Sequence, residues 1–366
     1  MKVCTIVGTR PEVIRLSEII KLLNKSSVIE HVLVHTCQNF TYELNQIFFA
    51  DFELPLPQYT LELEQGSFAT RLGSMLKQVE VVLVKEKPDA VLILGDTYSC
   101  LSALIAKNLK IPIFHMEAGN RCFDLNVPEE TNRKIVDHIS DINIPYSSIA
   151  REYLISEGVT PQNIIKLGSP MCEVLNANMD KILASTILER LGLEKSKYIL
   201  CSIHRAENVD TKEVLHAIFN GISAVSEWLN VPAIVSTHPK TEDRLKGFPL
   251  SSNIKLLKPM NFSDYNRLQI DSSLVLSDSG TISEESSLLK FRAINVRTSH
   301  ERPEAMEDSI VIMSGVTSEG ILESSKLALS LPIPKKTVTD YNVSNVSEKV
   351  LKVLLSYTHY VNRNSY

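Results

Sequence analysis

Residues 90–117 read AVLILGDTYSCLSALIAKNLKIPIFHME. An apolar run ends at Gly-Asp, a stretch of helical period follows, and a second apolar run ends on an acid. The first run is apolar at every position and the second at all but His115, rather than at alternate ones, the pattern of a strand buried on both faces. A strand, a helix and a strand within about thirty residues predict a right-handed parallel crossover unit.

The same unit recurs outward from this stretch. Upstream lie VCTIV (3–7) and HVLVHT (31–36); downstream lie INIPY (142–146) and IIKLG (164–168). Amphipathic segments over 11–23, 69–85, 99–107 and 130–139 separate them. After a bridge at GSPMCEVL (168–175) the pattern restarts with YILCSIH (198–204), PAIVSTH (232–238), NIKLL (253–257), LVLSDSG (274–280) and RAINVR (292–297). The expectation is an α/β protein of two doubly wound domains, 1–168 and 169–346. A closing helix over about 347–366 would pack back on the first domain. Two such domains facing each other would hold a ligand beside their strand C-termini.

Composition narrows the partners. The chain has 366 residues, 44% of them hydrophobic, and a formal net charge of −5, which argues against a nucleic-acid-binding surface. The six cysteines are scattered without a CxxC pair, so most of them read as small buried hydrophobes rather than a disulfide or zinc framework. MKVCTIVGTR reads as a strand and turn, not a secretory leader, and no apolar run nears the roughly 18 residues of a membrane span. A cytoplasmic protein with no membrane partner is expected.

Chemistry concentrates where apolar runs end. VGTRPEVIR lacks the GxGxxG dinucleotide fingerprint, but Arg10 stands beside Pro11 at a helix start, where free N–H groups suit a phosphate. An arginine on a surface turn is the plain alternative. Asp96 in LGDTYS follows a strand directly; it reads equally as a helix cap. HMEAGNRCFDLNVPEETNR (115–133) holds Glu117 at a strand end, then Glu129, Glu130 and Arg133 about a helix start. Capping accounts for Glu129 and Glu130, since carboxylates favour a helix N-terminus. It does not account for Glu117, which begins no helix.

In the second half, His204 closes a strand in IHRAEN and is either a structural histidine or a general acid–base. SDSGTISEE (277–285) offers Ser279, Gly280 and Thr281 at a helix start as an anion cradle, with Glu284 or Glu285 placed for a ribose diol. Arg302 in ERPEA follows the last strand and suits a phosphate. The acids lack metal-ligand spacing, so no metal and no cofactor are expected.

Taken together, GTRPEVIR, HTCQN, GDTYS, HMEAGNR, PEETNR, HRAEN, STHPKT, SDSGTISEE and ERPEA resemble the UDP-N-acetylglucosamine 2-epimerase family, in family order from residue 8 to about 304. The resemblance implies the GT-B fold, a homodimer and a UDP-activated amino sugar as substrate. It places Asp96, Glu117, Glu129 and His204 at the family's acid–base positions. Arg10, Arg133, Ser279, Gly280, Glu285 and Arg302 match positions that hold UDP. QNFTYELNQIFF, EAGNRCFD and VPEETNRKIVDH look like the branch that forms UDP-N-acetyl-L-fucosamine, the glucosamine enzymes more typically reading EAGLR. Three departures stand out: Cys37 where Gly or Ala is usual, Thr41 where the glucosamine enzymes use Gln for an activating UDP-sugar, and Arg15 for a common lysine.

The implied reaction eliminates UDP across C1–C2 to a glycal and adds it back with protonation on the other face. A GT-B glycosyltransferase and a hydrolysing epimerase are the rival enzymes.

Overall fold

The computed structural model describes residues 1–37, 49–237 and 239–365. Thr41, most of QNFTYELNQIFF and His238 of STHPKT lie outside the described residues. The chain divides into two compact units, Met1–Asn176 with Asp340–Tyr366, and Ala177–Thr339.

The first unit contains β1 (Lys2–Val7), β2 (Glu30–His35), β3 (Tyr59–Thr60), β4 (Ala90–Leu94), β5 (Ile113–Met116) and β6 (Ile142–Ile144). They form a parallel sheet in the order β3-β2-β1-β4-β5-β6. Connections leave β1 and β4 in opposite directions, so a crevice opens between their C-terminal ends, where doubly wound sheets bind ligands. The helix Arg10–Lys25 buries Leu16, Ile19, Ile20 and Leu23, one stripe at helical spacing, and has Pro11 in its first turn. The helix Phe68–Glu86 is capped by Ser67, whose hydroxyl accepts from the Thr70 amide, and ends at Lys87 in the left-handed conformation. The C-terminal helix Val346–Ser365 belongs to this unit and packs on Arg10–Lys25. Glu173 caps its start, accepting from the Ser347 amide at 2.8 Å.

The second unit contains β7 (Ile199–Ser202), β8 (Ala233–Ser236), β9 (Ile254–Leu257), β10 (Leu274–Ser277), β11 (Ala293–Asn295) and β12 (Ile312–Met313). Its parallel order, β12-β11-β10-β7-β8-β9, repeats the first sheet's order read from the other edge. The switch point therefore falls between β7 and β10. Strand residues Ile199, Cys201, Leu274 and Leu276 pack with Leu215, Ile218, Phe219 and Ile222 of the helix Lys212–Leu229. Gly221 of that helix lies against Ile321 of the helix Ser318–Ser330, and a Cβ there would crowd the isoleucine.

Two local expectations change. IIKLG (164–168) is not a strand but an isolated bridge from Ile164 to Asn143; the chain turns away at Gly168, whose φ is 93°. The edge strands β3 and β12, two residues each, carry no run long enough to show in sequence. No helix among the described residues is long and apolar enough to cross a membrane.

Candidate active site

At the first switch point the turns after β1 and β4 are tied together by Glu12. Its buried carboxylate accepts from the Gly8 amide at 2.7 Å, Thr9 Oγ1 at 2.8 Å, Thr97 Oγ1 at 2.6 Å and Ser99 Oγ at 2.7 Å. Burial pushes the Glu12 carboxyl up, and these hydrogen bonds offset that only in part. Arg10 begins the helix that carries Glu12 and is half-buried.

Asp96 lies two residues beyond β4, after Gly95 with a φ of 83°. Arg133, from the helix Pro128–Ile139, donates to its Oδ2 from Nε at 2.8 Å and Nη2 at 2.6 Å. The same guanidinium donates from Nη1 to Glu130 Oε2 at 3.1 Å, and Glu130 also receives the Cys122 amide at 3.0 Å. Burial raises the Glu130 carboxyl, but Cys122 and Arg133 outweigh it and hold it below the usual carboxylate range. Asn132 donates to the Asp96 carbonyl at 2.9 Å, so the helix start fixes both backbone and side chain of that aspartate. Glu129 is half-buried on the first turn, and its side chain has no hydrogen-bond or ion-pair partner among the described residues.

Glu117 lies one residue beyond β5. Because Leu94 pairs with Met116, Glu117 and Asp96 emerge from neighbouring strands at the same edge. Its φ is 65°, a left-handed conformation that costs a non-glycine residue on the order of 1–3 kcal/mol and is concentrated at functional sites. Asn120 Nδ2 donates to Glu117 Oε1 at 3.1 Å, and Arg15 Nε lies 3.7 Å from Oε2. Arg15 also lies over the Tyr146 ring, with 5.6 Å to its centroid, a cation–π contact beside the ion pair.

Beneath both acids is a fully buried network. His115 Nε2 donates to the Gly95 carbonyl at 2.8 Å, and its Nδ1 lies 2.9 Å from Asp137 Oδ1. Asp137 Oδ2 accepts from the Gly119 amide at 3.1 Å and from Arg121 Nη1 at 2.7 Å. Arg121 also grips Glu157 through Nε and Nη2. Burial pushes Asp137 up, but His115 and Arg121 outweigh it and hold the carboxyl below its ordinary range. One carboxylate thus joins the loops that carry Asp96 and Glu117.

The second switch point presents His204, Asp278 and the loop Ser279–Thr281. Ser202 pairs with Ser277, so His204 and Asp278 emerge side by side from β7 and β10. The helix Ile282–Leu289 starts after this loop with no side-chain cap on its first N–H groups. Ser279 and Thr281 hydroxyls lie 3.0 Å apart. A Cβ on Gly280 would overlap the Glu301 carboxylate, which is held by Arg205 at 3.1 Å and Arg297 at 2.7 Å. Glu285 accepts from Gln269 at 2.6 Å, and Arg302 Nε donates to the buried Glu284 at 3.0 Å.

The expected residues thus fall into two groups, one per unit: Arg10, Asp96, Glu117, Glu129 and Arg133, then His204, Ser279, Gly280, Thr281, Glu285 and Arg302. Sequence reasoning passed over Glu12, Asp137 and Asp278. Asp278 carries the signal that singled out Asp96, an acid directly after an apolar strand; Glu12 and Asp137 are defined by distant partners and carry none. Cys37, the departure in HTCQN, has a φ of 48°, which explains why a glycine suits that position.

Two sheets of dinucleotide-fold order, each with charged groups at its switch point, define a two-domain α/β enzyme of the nucleotide-handling class. The profile of the UDP-N-acetylglucosamine 2-epimerase family matches residues 21–355, and the chain belongs to that family. It is an isomerase acting on UDP-linked hexosamines. A UDP-N-acetylglucosamine 2-epimerase from Rickettsia bellii is 47% identical, with a TM-score of 0.93 over 100% of this chain and 99% of that one. The Methanocaldococcus jannaschii UDP-GlcNAc 2-epimerase in complex with UDP-GlcNAc and UDP is 35% identical, with a TM-score of 0.91 over 97% and 99% of the two chains. A UDP-2,3-diacetamido-2,3-dideoxy-D-glucuronate 2-epimerase from Pseudomonas aeruginosa is 31% identical over 363 residues, covering 97% of this chain and 99% of the relative. The α/β class and GT-B-type architecture expected from sequence are those of the solved relatives.

Proposed function

We propose that the chain inverts C2 of a UDP-linked 2-acetamido sugar without net hydrolysis, forming UDP-N-acetyl-L-fucosamine from UDP-2-acetamido-2,6-dideoxy-L-talose for capsule or O-antigen synthesis. The observation that carries the chemistry is the emergence of Asp96 and Glu117 from register-paired neighbouring strands. The C2 hydrogen of such a sugar adjoins no carbonyl carbon, so its simple removal is unfavourable. In the proposed reaction a carboxylate takes that proton while the C1–O bond to the β-phosphate breaks. The products are a 2-acetamidoglycal and UDP. The β-phosphate oxygen then re-adds to C1, and an acid delivers a proton to the opposite face of C2.

Asp96, Glu117 and Glu129 are assigned the proton transfers, each worth about 10²–10⁴-fold. Arg133 orients Asp96. His204 is the acid–base group of the second unit. Arg10, Ser279, Gly280, Thr281 and Arg302 are assigned to the diphosphate, and Glu285 to the ribose; stabilising the departing UDP is the larger contribution, as preorganised electrostatics usually is.

The 6-deoxy sugar is supported by Asn120, whose amide lies on the Glu117 carboxylate where the glucosamine enzymes typically have Leu. A second reading, epimerisation of UDP-N-acetylglucosamine, is favoured by the names of the relatives. Each UDP-sugar incubated with enzyme in D₂O and followed by proton NMR at C2 separates the two. Deuterium entering only UDP-N-acetyl-L-fucosamine, with its C2 epimer appearing, supports the first reading. Exchange only in the glucosamine sugar transfers the reaction to the second. Exchange in neither, or accumulation of free UDP and sugar, overturns the proposed epimerisation.

A further inference from the structure

The structure assigns Asp278 as the positioning residue that sets which nitrogen of His204 works; the inference rests on the acid–base role proposed above for His204. Asp278 is fully buried, one residue beyond β10. Its Oδ2 accepts the His204 amide at 3.0 Å, the Arg205 amide at 3.0 Å and Asn208 Nδ2 at 3.1 Å, and the His204 amide is shared with Oδ1 at 3.2 Å. Its Oδ1 lies 3.1 Å from His204 Nδ1. Burial pushes the Asp278 carboxyl up, but His204 and the Arg205 amide outweigh it and keep the group ionised. An ionised carboxylate only accepts, so it selects the tautomer with the proton on Nδ1. The His204 side chain is 46% exposed, and Nε2 becomes the nitrogen that exchanges a proton with the substrate.

The geometry makes a specific statement about the isosteric variant. Three donors reach Oδ2, two of them backbone amides that cannot turn, while Oδ1 has only the longer branch of the His204 amide besides the imidazole. In Asp278→Asn the amide oxygen must therefore take the Oδ2 position, which sends its NH₂ group toward His204 Nδ1. The imidazole then accepts at Nδ1 and carries its proton on Nε2, the reverse of the native tautomer. An aspartate acting only as a loop cap would leave that tautomer unchanged.

The test is nitrogen NMR of the full-length protein labelled with ¹⁵N-histidine, with His204→Asn identifying the resonance, alongside turnover of Asp278→Asn. Expected are protonation of Nδ1 in neutral His204 of the native protein, protonation of Nε2 in Asp278→Asn, and a fall of about 10²–10⁴-fold in kcat with little change in KM. A native neutral tautomer protonated at Nε2 overturns the inference without any variant having to fold. So does an Asp278→Asn enzyme with native kcat. Native turnover by His204→Asn is a different outcome: it refutes the acid–base role of His204, while the tautomer measurement still decides whether Asp278 controls the ring.

Discussion

Replacing Asp137 by Asn tests whether the buried network beneath Asp96 and Glu117 holds the two loops. The carboxylate receives His115 Nδ1, the Gly119 amide and Arg121 Nη1, and the Asp137, His115 and Arg121 side chains are all out of solvent. Asparagine keeps the shape but turns one oxygen into a donor facing donors and leaves Arg121 with Glu157 as its sole carboxylate. Removing one partner of a buried ion pair costs about 3–5 kcal/mol. For a unit of this size, at about 2–4 °C per kcal/mol, the midpoint should fall by roughly 6–20 °C. The folded Asp137 pKa is depressed, so its contribution is fully present above the unfolded value of about 3.9 and is lost as pH falls through the lower folded value. The gap between native and variant proteins should stay constant from neutral pH to about pH 5 and close below about pH 4. Thermal unfolding followed by far-UV circular dichroism at several pH values reads this directly. An unchanged midpoint at neutral pH, or a gap that widens on acidification, refutes the reasoning. Turnover should fall further than stability explains, because a displacement of about 1 Å at reacting groups costs on the order of 10²-fold.

Asp96→Asn and Glu117→Gln should each lower C2 exchange by about 10²–10⁴-fold while UDP affinity by calorimetry stays near native; near-native exchange in either removes that acid from the mechanism. Gly280→Ala puts a methyl group against Glu301, which Arg205 and Arg297 keep from yielding, and should weaken UDP binding roughly tenfold or more by calorimetry. Gly119→Ala meets the Ala150 carbonyl oxygen at a φ of 79°, and should lose at least about 2 kcal/mol in urea unfolding.

The alternation of wholly apolar runs with amphipathic helices made both parallel sheets legible, because burial on two faces leaves the same mark wherever it occurs. It misled at IIKLG (164–168), where a run of strand composition is stopped by the turn at Gly168, and it had nothing to say at β3 and β12, too short to carry a pattern. The candidate residues directly beyond strands stand out for a topological reason: a doubly wound sheet delivers that position to its crevice. Glu12 was not, because its partners Thr97 and Ser99 lie 85 and 87 positions away. The left-handed backbone of Glu117 was equally hidden, since a glutamate gives no local sign of strain that tertiary contacts impose.

The segment that follows Glu117 is fastened firmly at both ends. Arg121 is locked on Asp137 and Glu157, and the Cys122 amide on Glu130, which opens the next helix. Between these anchors Phe123 and Leu125 are 65% and 74% exposed, with Phe123 edge-on to Tyr153. Residues 123–126 can therefore change without disturbing the charged frame beneath the acids. Such a division separates tolerance from constraint: the loop tip is free to accept substitutions and insertions, while the anchors on either side must be kept as a set.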